Sequence, residues 1–416
     1  MILHKATRSA FVLLLAAGAE GQDVDLIEQE LAGVRTGIWH LGAFYVTPSI
    51  QFSGGYDSNA LSTPVPTNDI RAMVGPGVRI AIPLGEAAYL DVYEEVDYVW
   101  YQEQVELRRF FDVTTVGAGV GGRRWLLDVT DNFRDETARP TSEFDFPVVQ
   151  RSNDLEGALT LALGWRHLLR VGYGQSRYEI RETLEGDELV EARLNRTQDR
   201  GLMQLRRRLT AKTNAVAEVF FERFRFDDPT RDGDSWVGRF GFEFTPQGTD
   251  PMSVPALTGA FVSGRFLLGY RTVSPLEERV DYAGLLGSVD VTFGIGDGHR
   301  LQATYSRDIV PSIFDDNWYY VEDRWGASFH YQMTERFSLT PAVLIGQNNY
   351  PLPQETLEGT EEEIFDDHTT FRLAFDTRLT DNWTVGIVAD YLQRDSNVFA
   401  FAKDRLQVGF SMGFRP

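Results

Sequence analysis

The chain has 416 residues, no cysteine and a formal charge of −21 at pH 7. Without cysteine it holds neither a disulfide framework nor a thiolate metal site, and so acidic a chain lacks the basic surface that phosphate contact requires, which argues against nucleic acid as a partner. Aromatic residues at 12%, 38 glycines and a slightly negative mean hydropathy do not suit a helical membrane protein, but they suit a transmembrane barrel with a polar lumen.

The N-terminus reads as a secretory signal. Lys5 and Arg8 precede the apolar stretch 10–16, which is too short to span a bilayer, and Ala17-Gly18-Ala19 offers small residues for cleavage. The expected organisation is a signal peptide at 1–19, a periplasmic N-terminal lead at 20–43 and an outer-membrane β-barrel at 44–416. Within the lead, the stretch 25–31 has helical spacing.

From Pro48 the pattern changes to period two. Ile50, Phe52, Gly54 and Tyr56 share one face, and Ser49, Gln51, Ser53 and Gly55 share the other. A strand that separates lipid from water reads this way. Tyr56-Asp57-Ser58-Asn59 then breaks into a polar loop. The same device recurs at 72–84, 89–101, 109–119, 123–133, 154–164, 167–180, 195–210, 214–226, 235–246, 258–273, 281–295, 299–309, 318–333, 336–349, 367–380, 382–394 and 402–414. Glu94 falls on the apolar face of its strand, which calls for a bulge or a height near the membrane rim. The stretch Phe220–Phe226 is ambiguous as to face.

Connections alternate in length. Short ones fall at 85–86, 121–122, 164–165, 211–213, 296–298, 334–335 and 380–381, and long ones at 57–70, 102–108, 134–153, 181–194, 227–234, 274–280, 310–317 and 350–366. The connection 247–257 belongs to the short series and is long. Tight periplasmic turns and long outer loops are the habit of bacterial barrels. The expected fold is therefore all-β, a transmembrane antiparallel β-barrel of about 18 strands (16–18), with the N- and C-termini periplasmic and the location the bacterial outer membrane. Many of the runs reach the length a tilted strand needs to cross a bilayer, longer than the strands of a soluble sandwich. Trp100, Tyr101, Trp125, Trp236, Trp318 to Tyr320, Trp383 and Tyr391 stand at strand ends, as aromatic girdles would. At the C-terminus Leu406, Val408, Phe410, Met412 and Phe414 form one outward stripe, followed by Arg415 and Pro416. The stripe resembles the signal read by the barrel-assembly machinery.

Gly42-Ala-Phe-Tyr-Val-Thr-Pro48 and Gly55-Tyr-Asp-Ser-Asn59, with the later Gly269-Tyr270-Arg271 and Asp281-Tyr-Ala-Gly284, resemble the β-barrel porin family of Gram-negative outer-membrane proteins associated with exopolysaccharide-synthesis operons. The resemblance implies an outer-membrane barrel that assists secretion of a polysaccharide. Its implied partners are outer-membrane lipid and lipopolysaccharide, the barrel-assembly machinery and polysaccharide-export components.

No enzyme is expected, and no cofactor or metal. A Gly-x-Ser-x-Gly elbow does not occur. His330 and Ser328 share a strand face, but neighbours two apart on a strand stand about 7 Å from each other. The acidic run Glu361–His368 reads as a solvated outer loop and lacks the spacing of a calcium loop. Charges expected on inward positions are Arg79, Arg170, Arg206, Arg208, Arg239, Arg265, Asp290, Arg324, Arg372, Asp376, Arg378, Asp390 and Arg394. Asp91, Asp97, Asp128, Glu243 and Arg300 fall in the same phase. These charges either tune the selectivity of a water-filled pore or pair across strands and line the wall. The expected function is a channel for polar solute or for exopolysaccharide export. The alternatives are a non-conducting structural or surface-interaction barrel, and an outer-membrane hydrolase of lipid or polysaccharide.

Overall fold

A strand with one apolar and one polar face satisfies both when its sheet closes on itself, because closure removes the edges and gives each face its own solvent. The computed structural model describes residues 25–182, 188–244, 262–277, 279–296, 298–355, 361–398 and 400–414. The expected signal segment and the whole of the long connection 247–257 lie outside the described residues. Eighteen antiparallel strands close a barrel. They are β1 Phe44–Asp57, β2 Asp69–Leu84, β3 Ala88–Tyr101, β4 Arg109–Gly122, β5 Trp125–Ala138, β6 Val148–Ala162, β7 His167–Glu182, β8 Arg196–Arg208 and β9 Thr213–Phe226. The second half comprises β10 Gly233–Phe244, β11 Val262–Pro275, β12 Tyr282–Ile295, β13 His299–Pro311, β14 Tyr319–Gln332, β15 Phe337–Asn349, β16 Phe365–Arg378, β17 Trp383–Ser396 and β18 Lys403–Phe414. Each strand pairs with its sequence neighbours. β1 pairs with β18 from Ile50↔Phe414 to Asp57↔Gln407, which closes the ring. β1 begins and β18 ends on the side of the short turns. No described helix is long and apolar enough to cross a membrane.

The prolines show how the ladder tolerates a missing donor. Pro48 lies beyond the end of the β18 ladder, where its absent N–H costs least. Pro76 and Pro341 sit inside strands, and each falls in a two-residue gap in one ladder. The β2–β3 pairing resumes between Val74↔Tyr98 and Gly77↔Glu95, and the β14–β15 pairing between Ser328↔Ala342 and Tyr331↔Leu339.

The outward face is apolar through the lower part of every strand. Phe240, Leu268, Leu285, Phe371, Ile387 and Phe410 are among its exposed residues. Above that band the outward positions turn polar while the sheet continues. Asp112, Asp135, Arg151, Arg177, Asp199 and Arg223 hold outward phase there, and Arg151–Asp135 and Arg223–Asp234 pair at 2.8 and 3.0 Å. For this reason β5 and β6 extend to Ala138 and back from Val148, past the expected ends at 133 and 154. Apolar alternation stops at the lipid boundary, whereas hydrogen bonding between strands does not.

Glu94 belongs to this collar. The register of β3 is unbroken on both sides, so no bulge turns it away, and it accepts a hydrogen bond from the Thr114 hydroxyl at 2.6 Å on the outward face of β4. The Phe220–Phe226 stretch places Phe220, Glu222, Phe224 and Phe226 inward and Phe221, Arg223 and Arg225 outward. Trp318, Tyr319 and Tyr320 do not stand in a girdle. They are buried at the loop end of β14, where Trp318 and Tyr319 pack with Val273, Tyr282 and Val321 beneath the long loops.

Phe410 is 55% exposed on the lipid face of β18. Phe410→Arg is expected to destabilise the inserted barrel by about 2–4 kcal/mol, the cost of a basic side chain near the bilayer midplane. Urea titration of protein folded into vesicles checks this, with Gly409→Ser on the opposite face as the control.

Candidate functional site

The inner wall carries most of the chemistry, and its two ends are closed to different degrees. The register places every one of the thirteen charges expected on inward positions in polar phase, and many sit beside a partner. Arg79 grips Asp91 through Nε at 2.9 Å and Nη2 at 2.7 Å. Arg170 lies 3.1 Å from Asp128 and 2.9 Å from Glu156. Arg206 meets Glu243 at 3.1 Å, Arg239 meets Asp308 at 3.7 Å, and Arg265 binds Glu218. Arg324 pairs with Glu322 at 2.6 Å, Arg372 with Asp390 at 2.6 Å, and Arg394 with Asp366 at 2.6 Å. Asp290 accepts from Gln302 Nε2 at 2.7 Å. Asp376 faces inward between Ser338 and Gly386, while Arg208 and Arg378 close their strands at the short-turn rim.

Mutual pairing explains why so many charges are tolerated on one surface: counter-ions come from the neighbouring strand, as in Arg79–Asp91 and Arg372–Asp390, or from one strand further on, as in Arg170–Asp128, Arg206–Glu243 and Arg265–Glu218. The pairs nevertheless leave the wall uneven. Strands β7 to β11 present Arg170, Arg196, Arg200, Arg206, Arg239, Arg265 and Arg271. Strands β3 to β6 present Asp91, Glu95, Asp97, Asp128, Asp154 and Glu156. Glu95 accepts from Tyr93 at 2.5 Å and from Gln51 at 2.8 Å, and Gln51 also reaches Asp97 at 3.1 Å.

Within the basic sector the usual face preference is inverted. Phe220 is 4% exposed although it points inward, because the guanidinium carbons of Arg200 and Arg239 lie 4.2 and 5.2 Å from its ring centroid. Leu202, Val237 and Leu286 complete that cluster. A guanidinium lying on an aromatic ring keeps its hydrogen-bonding edge free while it covers apolar surface.

At the long-loop end the connection 139–147 crosses the mouth. It leaves β5 and reaches strands on the far side of the barrel. Ser142 Oγ is 2.9 Å from the Tyr320 hydroxyl and donates to Asn348 Oδ1 at 3.0 Å. The fully buried Glu143 accepts from Ser312 Oγ at 2.8 Å and from the Ile313 amide at 2.6 Å. Asp145 binds Lys403 and lies 3.5 Å from Arg394. Arg139 returns to Ser62 and to Ala60 O at 3.3 Å, which ties the strap to the first loop. Beneath it Phe144, Val148, Ile180 and Leu194 form a small apolar core. The loop 227–232 adds Arg231, which is wholly buried and donates to the Ser312 and Phe314 carbonyls.

Burial governs the protonation of these loop groups. It pushes Glu143 up to about 7 and pulls the Arg139 and Arg231 guanidinia down to about 10. Burial also opposes ionisation of Asp145, but Lys403, Arg139 and Arg394 hold it below the usual carboxylate range. The acidic run Glu361–His368 is therefore only partly a solvated loop. Asp366 is fully buried, and accepts from Asn348 Nδ2 at 2.6 Å as well as from Arg394.

At the short-turn end helix α1, Leu26–Val34, lies inside the barrel. Asp25 caps it by accepting from the Glu28 amide at 3.2 Å. Leu26, Ile27 and Leu31 pack on Leu126 and Leu168 of the inner wall, with Tyr89 and Ala162 beside them. Its last turn is held by Arg79, which donates to Gly33 O at 3.3 Å and to Thr36 Oγ1 at 3.1 Å. Sequence reasoning found the helical spacing but not this position. The available signal was the run of apolar residues on otherwise polar phases, namely Leu126 and Leu168.

His330 bonds Thr340 Oγ1 at 3.2 Å and Gln332 Oε1 at 3.1 Å, not Ser328. Among the described residues no group of three His, Asp or Glu side chains is arranged to hold a metal ion.

No protein-family model matches the chain, and no curated protein matches it in sequence. Solved structures match by shape. OccAB3 of Acinetobacter baumannii aligns with a TM-score of 0.51 at 10% identity, over 89% of this chain and 99% of that one. OccAB4 of the same organism aligns at 0.50 and 8% identity, over 89% and 98%. OprD of Pseudomonas aeruginosa aligns at 0.49 and 9% identity, over 89% and 95%. At such identities the likeness is one of fold. The closed ring of eighteen strands with its outward apolar band, a fold shared with OccAB3 and OccAB4, makes the chain a β-barrel of the bacterial outer membrane.

Proposed function

We propose that the barrel is a channel for small polar solutes, with the short-turn end in the periplasm and the strapped end outside. The observation that carries this reading is the inner wall. It is lined by charged pairs and by Ser, Thr and Gln side chains, interrupted by the arginine-covered Phe220 cluster and by Leu126 and Leu168, and the polar part of such a surface stays hydrated and gives a polar solute hydrogen bonds to exchange for water. The thirteen inward charges named above are its proposed lining. Export of an exopolysaccharide is a second reading, favoured by the resemblance of residues 42–59. A polymer would need the strap 139–147 and helix α1 both to move aside, so small solutes suit this geometry better. The signal peptide at 1–19, assembly through the C-terminal stripe and contact of the collar with lipopolysaccharide belong to the same proposal.

Planar-bilayer conductance of the purified protein tests it. Discrete channels are expected. Arg200→Gln with Arg239→Gln is expected to shift the permeability ratio of potassium to chloride toward the cation by about threefold, since charges lining a narrow pore set its ion preference. Absence of channels even after removal of the strap would overturn the reading in favour of a non-conducting barrel.

A further inference from the structure

We propose that helix α1 is a reversible throttle, and that the inner wall at the short-turn mouth is a seat built to take and release it. The proposal rests on the channel reading above. Four features of the wall carry it.

The first is a break in polarity. Leu126 and Leu168 occupy inward positions among the charges of the short-turn mouth, Arg79, Asp91, Asp128 and Arg170, and both are covered by the apolar face of α1. The second is a break in bulk. The inward positions of β4 next to the helix are Gly117, Gly119 and Gly121, while the outward positions between them are Ala118 and Val120. A strand that keeps side chains toward lipid and discards them toward the lumen leaves a groove on one side only. The Tyr89 ring lies across Gly119, so close that a Cβ there would fall 2.4 Å from it.

The third feature is the manner of attachment. The helix is held at its two ends by polar contacts, the Leu26 amide to Arg123 O at 3.1 Å and Arg79 to the last turn. Such contacts exchange readily with water at an open mouth. The fourth is Glu30. It projects from α1 toward Asp128 of β5 and Arg170 of β7, and burial pushes it up to about 7, with Asp128 adding to the rise and Arg170 opposing it. The other charged or titratable groups around the helix are Arg79 of β2, Tyr89 and Asp91 of β3, and Arg123 at its start. β4 contributes its glycines.

The direction of the pH effect follows from linkage. Docked Glu30 binds its proton more tightly than the free residue, so docking is strongest below the ordinary value of 4.5. It weakens as pH rises toward about 7 and then levels off.

The chain has no cysteine, so a single engineered thiol reports alone. Leu31→Cys is placed on the wall-facing side of the helix and its reaction with a maleimide-polyethylene glycol is timed in the full-length protein in vesicles from pH 5 to 8.5. The rate relative to an exposed reference thiol is expected to rise about tenfold over that range, and Glu30→Gln is expected to flatten the rise. In planar bilayers, deletion of residues 25–35 is expected to raise conductance. Bridging Leu31→Cys to Leu168→Cys with a short bismaleimide is expected to lower it below that of the unbridged protein. The proposal is overturned if Leu31→Cys reacts at one relative rate throughout, or if the bridged, unbridged and deleted forms conduct alike. If labelling responds to pH and to Glu30→Gln while no form conducts, the mobile helix stands and the channel reading fails instead.

Discussion

Removing residues 140–146 and joining Arg139 to Pro147 through a short Gly-Ser linker is expected to raise single-channel conductance about threefold or more, because the strap is the protein matter that lies across the mouth. Its anchors are spread over β14, β15, β17 and β18, so no one of them holds it alone. Ser142→Ala is accordingly expected to leave conductance close to that of the parent, while excision shows the full effect. The closed ring does not depend on the strap, since each strand is hydrogen-bonded to two others without it. Retention of the heat-modifiable band shift on gels checks that the shortened protein is still a barrel. A conductance equal to the parent's would mean that the narrowest point lies elsewhere, with helix α1 the next place to look.

The second large effect is expected at Arg394. It is 4% exposed, and it holds Asp366, itself fully buried, through Nε at 2.7 Å and Nη2 at 2.6 Å. It also stands on the Phe401 ring at 4.5 Å and near Asp145. Arg394→Met keeps much of the bulk and removes the charge. That leaves Asp366 and Asp145 without their shared cation, and breaking a buried pair on one side typically costs about 3–5 kcal/mol. Adding Asp366→Asn should recover a large part of the loss, because a neutral amide still bonds Asn348 and no longer needs a counter-charge. The temperature at which the folded band disappears from unheated gels, measured for the parent, the single and the double variant, reads the effect. A double variant no more stable than the single would show that the cost lies in the strap rather than in the pair.

Where lipid and water both touch a strand, the sequence displays its fold plainly. β16 and β17 alternate cleanly, and their ends at Arg378 and Trp383 fall close to those expected. Legibility fades where a third partner replaces one of the two solvents. Phe220 and Phe224 face the lumen because arginines cover them, so β9 carries apolar residues on both sides and its phase is hidden. Trp318 to Tyr320 are aromatic for the sake of a packed loop layer, which imitates an interfacial girdle in one dimension. Asp366 sits in a run of acids that reads as solvated, and its burial depends on an arginine 28 residues further on. The ion pairs themselves are cross-strand events. Their phase was readable from each strand alone, but the partner of Arg265 or Arg372 depends on register, which period two does not carry. The strap is the limiting case. Nothing in residues 139–147 names the residues up to 258 positions away that receive them.

The strap has a mechanical consequence apart from obstruction. A closed sheet behaves as a hoop, which resists stretching along its hydrogen bonds but is easily pressed into an oval. Residues 139–147 tie β5 to strands about half a circumference away, as a rod ties opposite points of a wheel. The long-loop end is thereby fixed in outline, and pressure from neighbouring molecules in the membrane should change its aperture little. Among the described residues the short-turn end is bridged by no such rod, since α1 rests against one arc of the wall from β2 to β7. Shape change in this barrel is therefore directed to one rim, the one at which a helix is seated.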